Sequence, residues 1–431
     1  MGFTDLISEK ARIGKEKTIC YIIGHMDGIS ASDVLFPYNS FWSIMARQRI
    51  IGAQKFWVTV YAPADAEAGT YKGRIRVTTK NAGSGHIDLR LRIWNFKLPE
   101  RMHLKTHFMM KYQNLRSLYS KLPDKLFEET IFRYRVNSAE HRVSIQGIIP
   151  FPFRIIKGNI LTTYRRFDEE MNTLINLGMN VFCIHLRDTD IDPRTYSIVL
   201  NRLQDHLRRR QWLDVAHLHL ERISHGLTLR TQAELAKIAS PGVKVVTEMS
   251  SLRRPRRLVK LIDIWIADYD RSRLKNLTSI LRGRGEVWLD GACKPGKHGP
   301  FCKYHKQVDF RKTFWWMWCM GVKGLVYDSA LPTTRSTEPL IYVWEEGILN
   351  SVRWETIRDG IEDYEYLSLL DEIVSRQKVM RKSDSMPQIQ HRASRLLKGI
   401  RAKGGSVNVG RVREQIAAIL EACSAGAPSE S

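Results

Sequence analysis

The stretch "AHLHLERISHG" (Ala216–Gly226) alternates apolar residues with histidines and then stops on one carboxylate, Glu221. Such alternation marks a β-strand, and the Arg-Ile-Ser-His-Gly that follows breaks it. Glu221 is therefore either a catalytic acid at the mouth of a barrel or an ordinary surface charge where a strand stops. The flanking chain decides the fold. Candidate strands precede the stretch at 104–112, 142–151 and 180–188, and follow it at 243–249, 263–270, 285–292 and 324–330. Amphipathic segments such as "RRFDEEMNTLINLG", "TQAELAKIA" and "FRKTFWWMWCMG" separate them. Eight strands alternating with helices predict an α/β fold, a (β/α)8 TIM-type barrel with 216–221 as its fourth strand.

Upstream, "KFWVTVYAP", "KGRIRVTT" and "IDLRLRIWNF" alternate as antiparallel strands. Three strands are few for a complete sandwich. The expected organisation is an unassigned segment over 1–30, a partial antiparallel β-sandwich over 31–98, and the barrel over 100–375. A helical basic extension over 376–422 and a flexible tail over 423–431 complete it.

The 431 residues are 43% hydrophobic and 26% charged, the balance of a globular protein. No apolar run approaches the about 20 residues of a membrane span. "ICYIIG" (Ile19–Gly24) is too short for a signal-peptide core, so the sequence as it stands reads as cytoplasmic, and as secreted or periplasmic if its start is truncated. Six dispersed cysteines argue against a disulfide framework. The net charge of +23 gathers in clusters such as Arg208–Arg210 and Arg253–Arg257. Such clusters could serve nucleic acid or an anionic polymer. They lie at helix starts and ends, and no helix-turn-helix, zinc-finger or RNP pattern accompanies them, so a solvated Arg-rich surface is expected and specific nucleic-acid binding is not.

Barrel chemistry collects at the C-terminal strand ends. There the sequence offers Tyr112, then His185, Arg187 and Asp188, then Glu221, Glu248, Asp268 and Asp270, Asp290, and Tyr327 with Asp328. Carboxylates beside aromatic residues such as Trp288 suit an acetal carbon and a pyranose face. Polar loops also end strands in Asp and Glu, so the ring alone does not decide. "CKPGKHGPFCKYH" brings Cys293, His298, Cys302 and His305 together, but C-x4-H-x3-C-x2-H fits no common zinc pattern, and a Gly/Pro-rich loop explains it. Gly-rich phosphate loops are absent, and no metal or cofactor is expected. "FWWMWC" (Phe314–Cys319) is apolar all round and predicts a buried helix.

"SVRWETIRDGIEDYEYLSLL" (Ser351–Leu370) resembles the closing helix of glycoside hydrolase family 123 and the related domain-of-unknown-function family 4091. The matching positions are Arg353, Trp354, Glu355, Arg358, Gly360 and Glu362 to Tyr366. "FWVTVYAPADAEAGTYKGRIRV" is similar to the family's N-terminal sandwich, and "LRIWNFKLPERMHLKTHF" to its join into the barrel. "RKTFWWMWCMGVKGLVY" resembles its penultimate helix and last strand, with Arg311, Trp315, Trp318, Gly321, Gly324 and Tyr327 in place. The resemblance runs from about Asp33 to Leu370.

It implies a β-N-acetylgalactosaminidase-like retaining hydrolase acting on carbohydrate. In that family an Asp-Glu pair closes the fourth strand. The Glu is the general acid/base, and the Asp stabilises the substrate's own 2-acetamido group as it attacks the anomeric carbon. Glu221 falls on the acid/base. Substrate-binding roles are expected for Tyr112, His185, Asp188, Trp288, Asp290, Arg311, Tyr327 and Asp328. The chain departs from the pattern at Leu220 for the Asp, Arg222 for a Pro and Asp328 for a Trp. Losing one preorganised contact of this kind costs about 10²–10³ in rate. Arg222 would also lower the pKa of Glu221, against the needs of an acid. Three expectations follow: a glycosidase in which Asp188, Asp290 or Asp328 stands in for the missing Asp, a catalytically silent barrel that binds glycan or protein, and a basic scaffold for an acidic polymer.

Overall fold

A computed structural model describes residues 17–24, 34–37, 56–63, 65–79, 83–147, 152–156, 159–186, 192–220, 227–249, 255–281, 283–292, 299–302, 307–327, 330, 339–344, 347–376 and 386–425. The chain divides into two compact units. One comprises Met1–Pro99, Tyr366–Gly399 and Val407–Ser431, the other Glu100–Glu365 and Ile400–Ser406.

In the first unit, β1 (Lys17–Gly24), β2 (Val34–Pro37) and β3 (Phe56–Tyr61) form an antiparallel sheet in the order β2-β1-β3. β4 (Gly69–Thr79) and β5 (Gly83–Ile93) pair as a hairpin from Gly69↔Ile93 to Thr79↔Gly83. β1 lies in the segment where the sequence showed no pattern.

The second unit carries β6 (Lys105–Met109), α1 (Tyr112–Leu118), α2 (Asp124–Glu140), β7 (Ile145–Gln146), the hairpin β8 (Phe153–Ile156) and β9 (Asn159–Thr162), α3 (Tyr164–Asn176) and β10 (Phe182–His185). Then come α4 (Pro193–Arg209), β11 (Ala216–Leu220), α5 (Leu229–Ala239), β12 (Lys244–Glu248), β13 (Ile264–Asp268), α6 (Arg271–Leu281), β14 (Glu286–Asp290), α7 (Gln307–Cys319) and β15 (Gly324–Tyr327). A hairpin of β16 (Ile341–Trp344) and β17 (Gly347–Asn350) precedes α8 (Val352–Arg376), which crosses the division at Glu365/Tyr366. α9 (Met386–Ala402) and α10 (Val409–Ala425) form the helical tail.

The eight-stranded parallel sheet runs β10-β11-β12-β13-β14-β15-β6-β7, and with helices around it this is a (β/α)8 TIM-type barrel. Side chains bridge from β7 to β10. The Gln146 amide donates to Val181 O at 2.8 Å and accepts from Cys183 N–H at 3.0 Å. Ser144 and Asn180 are joined beside it at 3.0 Å. One buried amide with a donor and an acceptor thus stands where a backbone rung would.

Helix starts follow local chemistry. Asp192 caps α4 by accepting from Arg194 N–H and Thr195 N–H at 2.9 and 3.1 Å, with Pro193 in the first turn. Thr228 caps α5 through Thr231 N–H at 3.2 Å. Strand alternation then sorts side chains between two faces. Val181, Cys183, Val246, Ile264, Ile266, Trp288 and Val326 pack together in the barrel interior. Their neighbours of opposite parity, such as Val245, Trp265, Leu289 and Leu325, are buried on the outer face. α7 is buried on all sides, from Phe314 through Trp318, as its composition predicted.

The lower interior is ionic. Glu286 accepts from Lys244 Nζ at 2.8 Å and Trp288 Nε1 at 3.2 Å, with Lys105 Nζ at 3.6 Å. Burial pushes the Glu286 pKa up, but the Lys244 hydrogen bond and both ammonium charges hold it below the usual value. His217 beside them is held to about 3 by burial and by the Lys105 and Lys244 charges, so it is neutral. Placed at the N-terminal ends of the strands, this layer belongs to stability rather than chemistry.

Candidate active site

The upper interior differs along its arc. His107 on β6, His185 on β10 and His219 on β11 share one cluster, with ring centroids 4.7 Å (His185–His219), 5.9 Å (His107–His185) and 6.3 Å (His107–His219) apart. Each has the parity of an interior residue on its strand. On the other arc the strands end in carboxylates of interior parity: Glu248 on β12, Asp268 on β13 and Asp290 on β14, with Asp268 and Asp290 directly paired in register. Asp268 Oδ2 lies 3.4 Å from Arg273 Nη1. Asp290 is buried, and its Oδ1 accepts from Ala292 N–H at 3.0 Å. Imidazoles facing carboxylates across a barrel end offer donors and acceptors suited to a polyhydroxylated ligand.

His185 and Asp290, singled out in the sequence, both belong to this group. Trp288 lies one step below Asp290, fully buried, with its indole N–H turned down to Glu286. Three more of the expected contacts lie among the described residues. Tyr112 opens α1, half-buried, its hydroxyl 3.4 Å from Glu128 Oε1 and its ring edge-on to Phe127. Arg311 on α7 donates twice to Asp363, at 2.8 Å each, and Trp315 Nε1 donates to the same carboxylate at 3.1 Å. Tyr327 is buried on the outer face of β15 and stacks on Phe108, which in turn meets Trp354. Glu221, Asp188 and Asp328 lie outside the described residues, as do Arg187, Arg222, Cys293, His298 and His305.

Leu220 is the last residue of β11 and 2% exposed. It shares the parity of Ala216 and Leu218, the outer face, opposite to His217 and His219. Its carbonyl accepts from Thr247 Oγ1 at 3.2 Å. The sequence reading passed over His107 and His219, although "AHLHL" alone sets His217 and His219 on one face. Among the described residues no group of three or more His, Cys, Asp or Glu could hold a metal ion, and no helix is long and apolar enough to cross a membrane. Cys302 is disulfide-bonded, whereas Cys183, Cys319 and Cys423 are free thiols.

No protein-family model matches the sequence, and no curated protein matches it either. Among solved structures, a family 123 glycoside hydrolase from Clostridium perfringens aligns over 95% of this chain and 87% of its own, with a TM-score of 0.63 at 14% identity. The chain has the fold of that family 123 enzyme. A family 39 glycoside hydrolase from the gut symbiont Bacteroides cellulosilyticus covers 81% of this chain and 77% of its own at 9% identity, with a TM-score of 0.38.

Within this family 123 fold, the closing-helix residues that carried the resemblance are structural. Glu355 Oε1 faces His141 Nε2 at 3.1 Å and Asn350 Nδ2 at 2.9 Å, and Arg358 pairs with Oε2 at 2.8 Å. Trp354 stacks on His141 at 5.0 Å and donates to Asn137 Oδ1 at 3.0 Å. Arg353 donates to Pro339 O at 2.7 Å, Tyr364 to Val322 O at 2.9 Å, and Glu365 takes His103 N–H at 2.8 Å. Gly360 lets the Phe314 ring lie against the α8 backbone, because a Cβ there would sit 2.1 Å from it. These contacts fasten α8 to the barrel.

Proposed function

We propose that this chain is a glycoside hydrolase-like protein that performs retaining hydrolysis of a β-linked N-acetylhexosaminide or related glycoside, with Glu221 as general acid/base. The observation that carries this is the parity of β11. His217 and His219 face the barrel interior, on the strand that leads in sequence into Glu221. In the first step Glu221 would protonate the glycosidic oxygen as the 2-acetamido oxygen attacks the anomeric carbon. In the second it would take a proton from the water that opens the cyclised intermediate. General acid–base action of this kind contributes about 10²–10⁴ in rate. His185 and Asp290, with His107 and His219, would hold sugar hydroxyls across the mouth.

The burial of Leu220 favours a second reading, a catalytically silent barrel that binds glycan or a protein. An apolar side chain on the outer face cannot offset charge on the intermediate. Turnover of aryl β-N-acetylhexosaminides and plain aryl β-glycosides by wild type and Glu221→Gln separates the two. Hydrolysis that depends on Glu221 supports the enzyme. Binding of the sugars without Glu221-dependent hydrolysis on either panel supports the silent barrel.

A further inference from the structure

The net charge of +23 is spread along the chain, and the β4–β5 hairpin of the first unit sets part of it in order on one face. Alternation sends Tyr71, Ile75, Leu89, Leu91 and Ile93 to one side, where they are half-buried. Lys72, Arg74, Asp88, Arg90 and Arg92 point to the other side, and all five are exposed. There the register sets Lys72 directly opposite Arg90. Side chains paired across two strands start about 4.5–5.5 Å apart, and like charges in that position destabilise a hairpin. The next cation on either side has a carboxylate. Arg74 pairs with Asp88 at 3.0 Å, and Arg92 with Glu421 of the same unit at 3.1 Å. Among the described residues Lys72 and Arg90 have no such partner, so the repulsion between them is uncompensated.

We propose that Lys72 and Arg90 form an anion clip through which this face binds an acidic polysaccharide, one that carries carboxylates or sulfates along its chain. An oxyanion between the two side chains relieves their repulsion and accepts charge-assisted hydrogen bonds from the ammonium and the guanidinium. Arg74 and Arg92 continue the charge along the strands, one step of about 6.8 Å to either side, so a chain with repeated anionic groups fits better than a single ion. Single-stranded nucleic acid binds where bases stack on aromatic rings. The indole just past the end of β5, Trp94, is half-buried and already covered by the Arg92 guanidinium, 4.9 Å from its centre. A bilayer takes up apolar side chains beside the cations, and those of the hairpin lie on the opposite face. A polyhydroxylated acid needs only the charges and the polar groups beside them. The clip belongs to the first unit and does not depend on the hydrolase reading.

The test measures calorimetric binding of chondroitin sulfate, hyaluronan, neutral dextran, single-stranded DNA and phosphatidylserine vesicles to the full chain over a range of salt. Wild type is expected to bind chondroitin sulfate and hyaluronan but not dextran, with an affinity that falls steeply as salt rises. The double variant Lys72→Gln/Arg90→Gln is expected to bind about tenfold more weakly, the loss of two exposed ion pairs. Lys260→Gln/Lys275→Gln, which removes the same charge from exposed positions of the second unit, should stay within a few-fold of wild type. Because Lys72 and Arg90 repel each other, their double variant should unfold in urea at or above the wild-type midpoint. Tighter binding of chondroitin sulfate than of hyaluronan assigns sulfate to the clip and equal binding assigns the carboxylate, and either supports the inference. Wild-type affinity in Lys72→Gln/Arg90→Gln, an equal loss in Lys260→Gln/Lys275→Gln, or no binding of either acidic polysaccharide overturns it. So does a lowered unfolding midpoint in Lys72→Gln/Arg90→Gln, which would make the pair structural. Tighter binding of DNA or vesicles than of both polysaccharides at the same salt overturns the choice of partner.

Discussion

Gly324 on β15 stands directly opposite Trp288 on β14, so close that a Cβ at 324 would lie 2.5 Å from the indole ring. The largest side chain of the barrel interior fits only because its partner has none. Gly324→Ala is expected to destabilise the barrel by about 1–3 kcal/mol through overpacking. Trp288→Phe should recover part of that loss in the double variant, since the two changes share one contact. Denaturant midpoints of the two single variants and the double variant measure the coupling. Strictly additive shifts would contradict the packing account.

Arg311 and Asp363 form the next test. Asp363 has no solvent exposure, and both its oxygens receive Arg311. Removing the guanidinium strips this buried carboxylate of its Arg311 ion pair and leaves it the Trp315 hydrogen bond, and breaking a buried pair in this way costs up to about 3–5 kcal/mol. Arg311→Met should therefore lower the unfolding midpoint strongly while leaving the sugar affinity of the folded protein unchanged. Weakened sugar binding at wild-type stability would instead place Arg311 in the binding site.

Glu355 gives stability a pH dependence. Burial alone would raise its pKa, but the His141 hydrogen bond and charge, with Arg358 and Asn350, lower it from 4.5 to about 2. A depressed carboxylate stabilises the fold above its unfolded pKa and loses that contribution as pH falls through the folded value. The contribution should be complete above about pH 4.5 and fade toward pH 2. The stability gap between wild type and Glu355→Gln, followed by urea unfolding, should narrow over that window. A gap that stayed constant as pH fell would count against it.

The fold was legible because each strand carries its own pattern. "VKVVTEM", "DIWIADYD" and "GEVWLDGA" are short β-rich runs between helical segments, and they became β12, β13 and β14. Strand β7 keeps two residues, because side chains of Gln146, Ser144 and Asn180 make the bridge to β10. The hairpins β8–β9 and β16–β17 were not foreseen, since they are four-residue strands inside connecting segments. The candidate site was less legible. Strand ends drew attention to carboxylates, while His107 and His219 sit within strands, where only parity marks them. Arg311 came from motif matching and Tyr327 from both its strand end and the motif, and the structure adds partners that neither signal carried, Asp363 for Arg311 and Phe108 for Tyr327. The motif that spoke most clearly, from Arg353 to Tyr366, belongs to the attachment of α8.

The measurement that bears most directly on the account is kcat/KM of wild type and Glu221→Gln on aryl β-N-acetylhexosaminides of graded leaving-group acidity. If Glu221 protonates the departing oxygen, the variant should lose about 10²–10⁴ on a poorly acidic phenol and much less on a strongly acidic one, which needs no proton. Equal rates for the two proteins, or a loss that ignored the leaving group, would contradict the assignment of Glu221 as the acid.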